Sequence, residues 1–456
     1  VITLDADTRL PNASAYRLVG AAAHPLNQPR FDPRKGRVVE GYAVLQPRIA
    51  PSLPTGPAST VYQRIVSGPG GVDPYAAAVS DVYQDLFEEG SYTGKGIFDV
   101  DALEAALEGT VPENALLSHD LFEGLFARAG LMTDVELFEE FPTNYEVAAR
   151  RQHRWVRGDW QLLPWILGHA RDGAGRKQRA RIPTRGRWKM VDNLRRSLVA
   201  PLSFLVGVAG WVLPGAPPFL WTGLLVGSVA VPTVIPVLDG LLPRRWGISK
   251  RSHLRAVGHD ISVALLQTLL AITMLAHQAW LMVDAVLRSL GRLYFTKRNL
   301  LEWVTAARAG SGADLRLRVF CWDLRWSVVL AVGAGLLFVV LKPGAWPAAA
   351  PFVLLWVLAP ILAWRMSVPA KIAKSEILSP LETRSLRLLA RRTWRFFETF
   401  VDEEDHALPP DNFQEDPEPA RAHRTSPTNL GLYLLSTVAA HDFGWIGILD
   451  LSLIHI

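Results

Sequence analysis

The sequence predicts three regions in order: an α/β domain over residues 1–190, a helical membrane region over 191–370, and the beginning of a helical domain over 371–456. In the first region, short apolar runs such as Val1–Leu4 and Gly41–Leu45 alternate with helix-like stretches such as Val100–Leu107. That alternation is typical of an α/β domain. We expect Val1–Leu4 to be a buried strand, so the chain should begin inside a domain rather than with a signal peptide.

The membrane region is predicted from apolar segments that share a length near the roughly 20 residues needed to span a bilayer. These segments are Leu198–Leu213, Phe219–Leu242, Ile261–Leu287, Ser327–Leu341 and Ala348–Trp364. A wholly soluble protein would have too little polar surface to cover all of them. The sequence therefore predicts a multi-pass membrane protein that contacts the lipid bilayer.

Basic residues between the apolar segments predict their orientation. The connections Arg244–Arg255 and Arg316–Arg325 are basic, whereas the loops Pro214–Pro218 and Pro343–Pro347 carry almost no charge. Since Lys and Arg in short loops face the cytoplasm, both basic loops and the first domain should lie on the cytoplasmic side.

The middle stretch, Ile261–Trp303, must then return to the side that it left. It is predicted to be an interfacial or re-entrant helix, which gives four spans plus this helix. Its polar residues, His277, Gln278 and Asp284, should face protein or water. The alternative is an ordinary fifth span.

Charge and cysteine content exclude other classes of protein. The net charge is +5, but the basic residues adjoin apolar runs, and no nucleic-acid recognition motif accompanies them, so no nucleic-acid partner is expected. The single cysteine, Cys321, cannot form an intramolecular disulfide. In the third region, a basic and aromatic amphipathic helix is predicted at Leu381–Val401, followed by the acidic, proline-rich Asp402–Pro419. We expect that domain to be truncated and infer no function from Leu451–Ile456.

Two carboxylate motifs follow apolar runs in the first region. Asp5 and Asp7 form a D-x-D motif after the run Val1–Leu4, where both can turn toward a divalent ion that binds a diphosphate; the alternative is a solvated turn. Asp120, in Ser118-His119-Asp120, follows a second run and can act as the base for a sugar hydroxyl. The alternative there is a helix N-cap formed by Ser118 or Asp120.

A third motif is rich in cations and indoles. Arg151, Arg154 and Trp155 share one face at helical spacing, which suits a diphosphate leaving group and stacking on a sugar ring. The alternative is an amphipathic helix with its basic side against lipid head groups.

The order of the three motifs ahead of membrane helices resembles the processive membrane glycosyltransferases of the GT-A type. Closer similarity to the cyclic β-1,2-glucan synthases, glycosyltransferase family 84, comes from Ala78–Leu86, Gly90–Ile97, Ser118–Gly124 and Gln152–Pro164. The tail segments Leu408–Glu415 and Arg424–Asn429 resemble the start of the glycoamylase-like region of that family.

The resemblance implies metal-assisted, inverting transfer of glucose from UDP-glucose to a growing β-1,2-glucan, with Mg²⁺ or Mn²⁺ as the cofactor. By the same resemblance, Asp5 and Asp7 bind metal and donor, Asp120 is the base, Arg151 and Arg154 bind the donor phosphates, and Trp155 binds the acceptor sugar. Asp81 and Gly94-Lys95-Gly96 lie in similar segments without an assigned role.

The resemblance also implies a bacterial inner, cytoplasmic membrane location with a cytoplasmic catalytic domain. The opening half of a GT-A domain should precede Val1, so the fragment alone is expected to be inactive. The competing interpretation is a glycan-translocating or polysaccharide-binding membrane protein with vestigial transferase motifs. Intact Asp5, Asp7, Asp120 and Arg154-Trp155 argue against it.

Overall fold

A mixed five-stranded sheet forms the centre of the first region. In this computed structural model, the described residues are 1–11, 13–52, 59–66, 82–110, 115–117, 120–170, 176, 182–241, 249–302, 315–369 and 378–455. The strands of the sheet are β1 (Ile2–Thr3), β2 (Thr8–Arg9), β5 (Val44–Pro51), β6 (Gly96–Phe98) and β7 (Ala129–Glu139). The sheet order is β1-β6-β5-β7-β2, in which only β5 and β7 pair in parallel. A hairpin of β3 (Arg30–Asp32) and β4 (Arg37–Glu40) lies apart.

Helices accompany this sheet, as the alternating pattern predicts. They are α1 (Ser14–Ala23), α2 (Val61–Val66), α3 (Val82–Phe87), α4 (Val100–Leu107), α5 (Asp120–Ala127), α6 (Tyr145–Gln161) and α7 (Leu163–Ile166). The predicted helix at Val100–Leu107 is confirmed, and Asp99 caps it by accepting a hydrogen bond from the amide of Ala102. The expectation of a buried strand at Val1–Leu4 is wrong: among the described strands only β6 pairs with β1, so β1 is an edge strand, and Val1 is 63% exposed.

The helical region contains α8 (Thr184–Val212), α9 (Pro218–Gly240), α10 (Lys250–Leu290), α11 (Leu317–Asp323), α12 (Arg325–Leu341) and α13 (Trp346–Ser367). Within the described part of the chain, three helical stretches are long and apolar enough to cross a membrane: Pro218–Gly240, Lys250–Thr296 and Pro343–Ser367. The pair α11 and α12, bent by 58°, makes a fourth if it counts as one span. The predicted segment Leu198–Leu213 is the apolar C-terminal half of α8, whose N-terminal half is charged.

The helices pack around a shared aromatic core. Trp211 of α8 and Trp356 of α13 are almost fully buried there, and Phe204, Leu225 and Phe352 pack in the same core. At one end of the bundle, the Lys342 ammonium donates hydrogen bonds to the carbonyl oxygens of Leu213 and Ala216. The two nearly uncharged loops therefore lie on the same side. Because α8 contacts the first domain through Lys189 and Asn193, that end is remote from the domain.

Helix α10 lies along the first domain. Its Gln267 donates to the carbonyl of Ile65 at 2.8 Å, and its Ser289 donates to the carbonyl of Arg157 at 3.0 Å. These two contacts are 22 residues apart, about 33 Å along a helix. A span that left the domain for the far side of a bilayer would not return to it at both points, so the contacts favour the interfacial interpretation over a fifth span. The re-entrant alternative is wrong, because Lys250–Leu290 is one continuous helix.

The polar residues of α10 face protein, as predicted. The Tyr145 hydroxyl lies 2.7 Å from His277 Nδ1 and accepts a hydrogen bond from Gln278 at 2.9 Å. Asp284 lies 2.9 Å from His153 Nε2 on α6. The three polar side chains therefore connect α10 to the first domain rather than to lipid.

The third region contains α14 (Pro380–Phe400), the paired strands β8 (Phe413–Gln414) and β9 (Ala420–Arg421), α15 (Pro427–Asp442) and α16 (Ile448–His455). The predicted amphipathic helix is confirmed as α14, which begins with a capping box of Ser379 and Glu382. His441 contacts Glu136 of β7 at 3.1 Å, so this region rests against the first domain.

The topology is testable by cysteine labelling in the full-length parent. In a Cys321→Ser background, single cysteines at Ser249 and Arg316 should be labelled from the same side of the membrane, because α10 returns to the domain. Cysteines at Gly215 and Gly344 serve as controls and should be labelled from the other side, since Lys342 links their two loops. Labelling of Ser249 and Arg316 from opposite sides would make α10 a span.

Candidate functional site

The D-x-D motif lies in a turn across the end of the sheet. Asp5 and Asp7 connect β1 to β2, the two edge strands, and the carbonyl of Asp5 accepts a hydrogen bond from the amide of Thr8 at 3.0 Å. Because β2 pairs with β7 through Thr8 and Glu139, this turn brings Asp7 beside the last residue of β7. The sheet thus assembles three carboxylates from distant parts of the chain.

Asp5, Asp7 and Glu139 form a group that can hold a metal ion. Their ligand oxygens all lie within 4.8 Å of one another. Oxygen ligands of this kind suit Mg²⁺ or Mn²⁺. Burial, followed by repulsion from Glu139, raises the pKa of Asp7, although Arg151 opposes the shift. A metal would therefore compete with a proton at Asp7 at a higher pH than at an ordinary aspartate.

Two cations hold this carboxylate cluster together. Lys95 Nζ lies 2.9 Å from Asp5 and 3.4 Å from Glu139, and Arg151 pairs with Glu139 and lies 4.0 Å from Asp7. Burial lowers the pKa of Lys95, but Glu139 and Asp5 more than offset that effect and raise it. Lys95 therefore stays charged although it is only 4% exposed.

Sequence reasoning missed Glu139 and left Lys95 without a role. A signal for Glu139 was present, since it ends the half-apolar run of β7, and sites in α/β domains lie at the carboxyl ends of strands. Lys95 stands between Gly94 and Gly96, which have φ of +86° and +132°. Gly96 lies so close to the carbonyl of Leu45 that an added Cβ would be 2.2 Å from that oxygen. These two glycines let the loop place Lys95 against the sheet.

The first residue of α5 is Asp120, whose carboxylate packs against the same glycine loop. An added Cβ at Gly94 would lie 3.1 Å from Asp120 Oδ2 and 3.2 Å from Oδ1. The alternative cap residue, Ser118, lies outside the described residues, so the capping interpretation stays open. A side chain at position 94 would therefore press against the Asp120 carboxylate.

The third motif lies on α6, which begins at the N-cap Asn144 directly after β7. Arg151 contacts the carboxylate cluster, and its guanidinium lies 4.8 Å from the centre of the Trp155 ring. Burial and the nearby Arg151 lower the pKa of Arg154, whereas Asp120, Asp5 and Asp7 act to raise it. These arginines face carboxylates of the first domain, so the lipid head-group alternative is wrong for this face of α6.

The three motifs lie close enough together for their charges to interact. Arg154 interacts with the carboxylates of Asp5, Asp7 and Asp120 at once. Burial raises the pKa of Tyr92 to about 12, and Glu123, Asp120 and Asp5 add to that shift. The site thus joins Asp5, Asp7, Asp120 and Arg154, as the proposed roles require, and adds Lys95 and Glu139.

No protein-family model matches this chain. The chain is 45% identical over 448 residues, 98% of its length, to cyclic beta-(1,2)-glucan synthase NdvB of Rhizobium meliloti (strain 1021). The predicted family resemblance is confirmed: the chain corresponds to one segment of a cyclic β-1,2-glucan synthase. It spans 16% of the length of that relative. The matched segment contains the carboxylate cluster, Asp120 and the α6 motif.

The contact between Gly94 and Asp120 predicts the effect of a single methyl group. In the full-length parent, Gly94→Ala should lower the turnover number about tenfold, because the new Cβ lies 3.1 Å from Asp120 Oδ2 and pushes the carboxylate out of its position. Gly109→Ala is a matched control, since Gly109 also has a positive φ, +66°, and no described residue lies within 4 Å of an added Cβ there. Equal activity of the two variants would show that the contact has no role in positioning Asp120.

Proposed function

We propose that this segment contains the metal, base and acceptor elements of a glucosyltransferase that extends a β-1,2-glucan with glucose from UDP-glucose. The convergence of Asp5, Asp7, Glu139, Arg154 and Asp120 supports this proposal most strongly. The sequence relationship to a cyclic glucan synthase supports the same reaction class.

The donor diphosphate is assigned to the carboxylate cluster and its cations. Asp5, Asp7 and Glu139 would hold Mg²⁺ or Mn²⁺, and the bound ion would neutralise charge on the departing diphosphate. Arg151 and Arg154 supply fixed positive charge beside it. The ion pair with Glu139 holds the Arg151 guanidinium in place, and Arg154 lies near enough to Asp5, Asp7 and Asp120 to interact with their charges.

The base role is assigned to Asp120. In an inverting displacement, the acceptor hydroxyl oxygen bonds to the anomeric carbon of glucose while the bond from that carbon to the UDP oxygen breaks. The electron pair of that bond leaves with UDP, and the hydroxyl proton passes to the Asp120 carboxylate. Arg154 lies near both Asp120 and the D-x-D motif, so it can stabilise negative charge on either side of the transfer.

The acceptor sugar is assigned to Trp155. One face of this indole is covered by the Arg151 guanidinium, which fixes the ring beside the donor site. A sugar ring would stack on the remaining surface, as sugars do on aromatic side chains. The growing chain then lies over α6, next to the helices that enter the membrane.

The proposed location is a bacterial cytoplasmic membrane with the first domain in the cytoplasm, where UDP-glucose is available. Basic residues at Arg316–Arg325 lie at the end of the bundle that contacts this domain, since Arg150 lies 3.3 Å from Asp323. The nearly uncharged loops lie at the opposite end. This distribution agrees with the positive-inside rule.

If Asp120 is the base, its substitution should lower the rate of transfer without weakening the binding of the donor. In the full-length parent, Asp120→Asn should lower the rate of transfer from labelled UDP-glucose by about 10²–10⁴-fold, because the proton acceptor is removed. Affinity for UDP-glucose should change little, since asparagine has nearly the same size and shape as aspartate. Asp101→Asn, an exposed carboxylate on α4, is the control. Near-normal turnover of Asp120→Asn would leave Asp120 only a structural role.

The metal assignment predicts different effects at two adjacent glutamates. Glu139→Gln should weaken Mn²⁺ binding by at least about tenfold, because it removes one carboxylate ligand. Glu140→Gln should leave that affinity unchanged, because its side chain is 58% exposed and pairs with Arg9. Titration of Mn²⁺ followed by electron paramagnetic resonance measures both, and equal affinities would remove Glu139 from the metal site.

A further inference from the structure

A cavity of about 420 Å³ lies on the other face of α6. Glu146, Ala149, Arg150 and His153 line it at i, i+3, i+4 and i+7, so one helical face points into it. The remaining lining comes from α10 and from the junction of α11 with α12. None of the residues assigned to sugar transfer lines this cavity. Its volume is within the roughly 300–1,000 Å³ of ligand pockets.

We propose that this cavity binds the headgroup of a zwitterionic aminophospholipid from the leaflet on the side of the first domain. The ammonium enters between the carboxylates, and the phosphate stays at the arginine-lined mouth. The acyl chains then extend along α12.

The charges of the cavity are separated by depth. The side chains of Glu146, Asp284 and Asp323 are 10%, 22% and 30% exposed. In contrast, the side chains of Arg150 and Arg288 are 59% and 56% exposed. The three carboxylates therefore lie deeper than the two arginines with which they form ion pairs. This arrangement complements an ammonium joined by a short linker to a phosphate.

Arg325 is placed to bind the phosphate. Its guanidinium donates to the carbonyl of Trp322 at 2.6 Å and lies 4.3 Å from the centre of the Trp322 ring. Within the described residues, no carboxylate forms an ion pair with Arg325, unlike Arg150 and Arg288. A phosphate oxygen would give this guanidinium an anionic partner beside the Trp322 carbonyl.

Two tryptophans of the kind found at membrane–water interfaces line the cavity. Trp280 and Trp326 stack with ring centroids 4.3 Å apart, and both line the cavity. Tryptophan is enriched where membranes meet water, and its ring attracts an ammonium group. The aromatic pair therefore suits the amine end of a headgroup at the depth where α12 enters the bilayer.

An exposed apolar stripe begins at Arg325. Val329, Val332, Leu336 and Val340 follow it on the same face of α12, and they are 48–75% exposed. An acyl chain attached to a phosphate at Arg325 would lie directly along this stripe. A glucan segment is disfavoured as the occupant, because it has no anionic group to pair with Arg325 and no apolar chain to cover the stripe.

Lipid binding to the delipidated full-length parent tests the proposal by native mass spectrometry. With dioleoyl phosphatidylethanolamine and dioleoyl phosphatidylglycerol at equal concentration, the ethanolamine lipid should be retained preferentially. Arg325→Gln should weaken binding of both lipids about tenfold, the loss expected for one charge-assisted hydrogen bond. Asp323→Asn should weaken only the ethanolamine lipid and remove the preference.

The controls separate binding from folding. Arg318→Gln, an exposed arginine of α11 outside the cavity, should bind both lipids as the unmodified protein does. Arg325→Lys keeps the positive charge and should regain most of the binding, which a purely structural role of Arg325 would not produce. Equal retention of both lipids, or retention unaffected by Arg325→Gln, would overturn the proposal. Binding of a β-1,2-gluco-oligosaccharide that Arg325→Gln abolishes would identify a sugar site instead.

Discussion

The pairing of buried charge at Glu139 is the constraint on which the first domain depends. Glu139 is 3% exposed and contacts Lys95 from the glycine loop and Arg151 from α6. A buried carboxylate without such partners would be strongly unfavourable, and removing one partner of a buried pair typically costs about 3–5 kcal/mol. The ion pairs therefore hold the end of β7, the loop beside β6 and helix α6 in one arrangement. The same arrangement places Asp5 and Asp7 where a metal ion can bind.

Helix α6 connects the ion pairs of Glu139 to the helices of the membrane region. One face carries Arg151, Arg154 and Trp155 toward the carboxylates, and another carries Arg150 and His153 toward α10 and α11. The backbone amide of its first residue, Tyr145, donates a hydrogen bond to the Ser367 hydroxyl oxygen at the end of α13. A shift of α6 would therefore move the candidate site and the membrane helices together.

The contact between α10 and the first domain explains why a helix apolar enough to cross a membrane also has polar residues along its length. Gln267, His277, Gln278 and Asp284 each bond to the first domain. Its apolar residues, among them Ile272 and Leu275, enter the core of the bundle. Polar groups are costly in lipid but are stabilised when a partner satisfies them. One face of α10 thus forms hydrogen bonds with the first domain, and another packs its apolar side chains against the helices of the bundle.

The sequence by itself determined the α/β character of the first region, the apolar helices, α14 and the shared face of Arg151, Arg154 and Trp155, because each depends on local periodicity. It also identified the family, because the motifs occur in a particular order along the chain. Only the tertiary structure decided that Glu139 and Lys95 join the D-x-D motif. The D-x-D motif, Lys95 and Glu139 lie far apart in sequence, and sheet pairing of Thr8 with Glu139 brings the motif to the end of β7. The same reason holds for the edge position of β1 and for the cavity behind α6, since pairing order and helix packing are set by the whole fold and not by any local pattern.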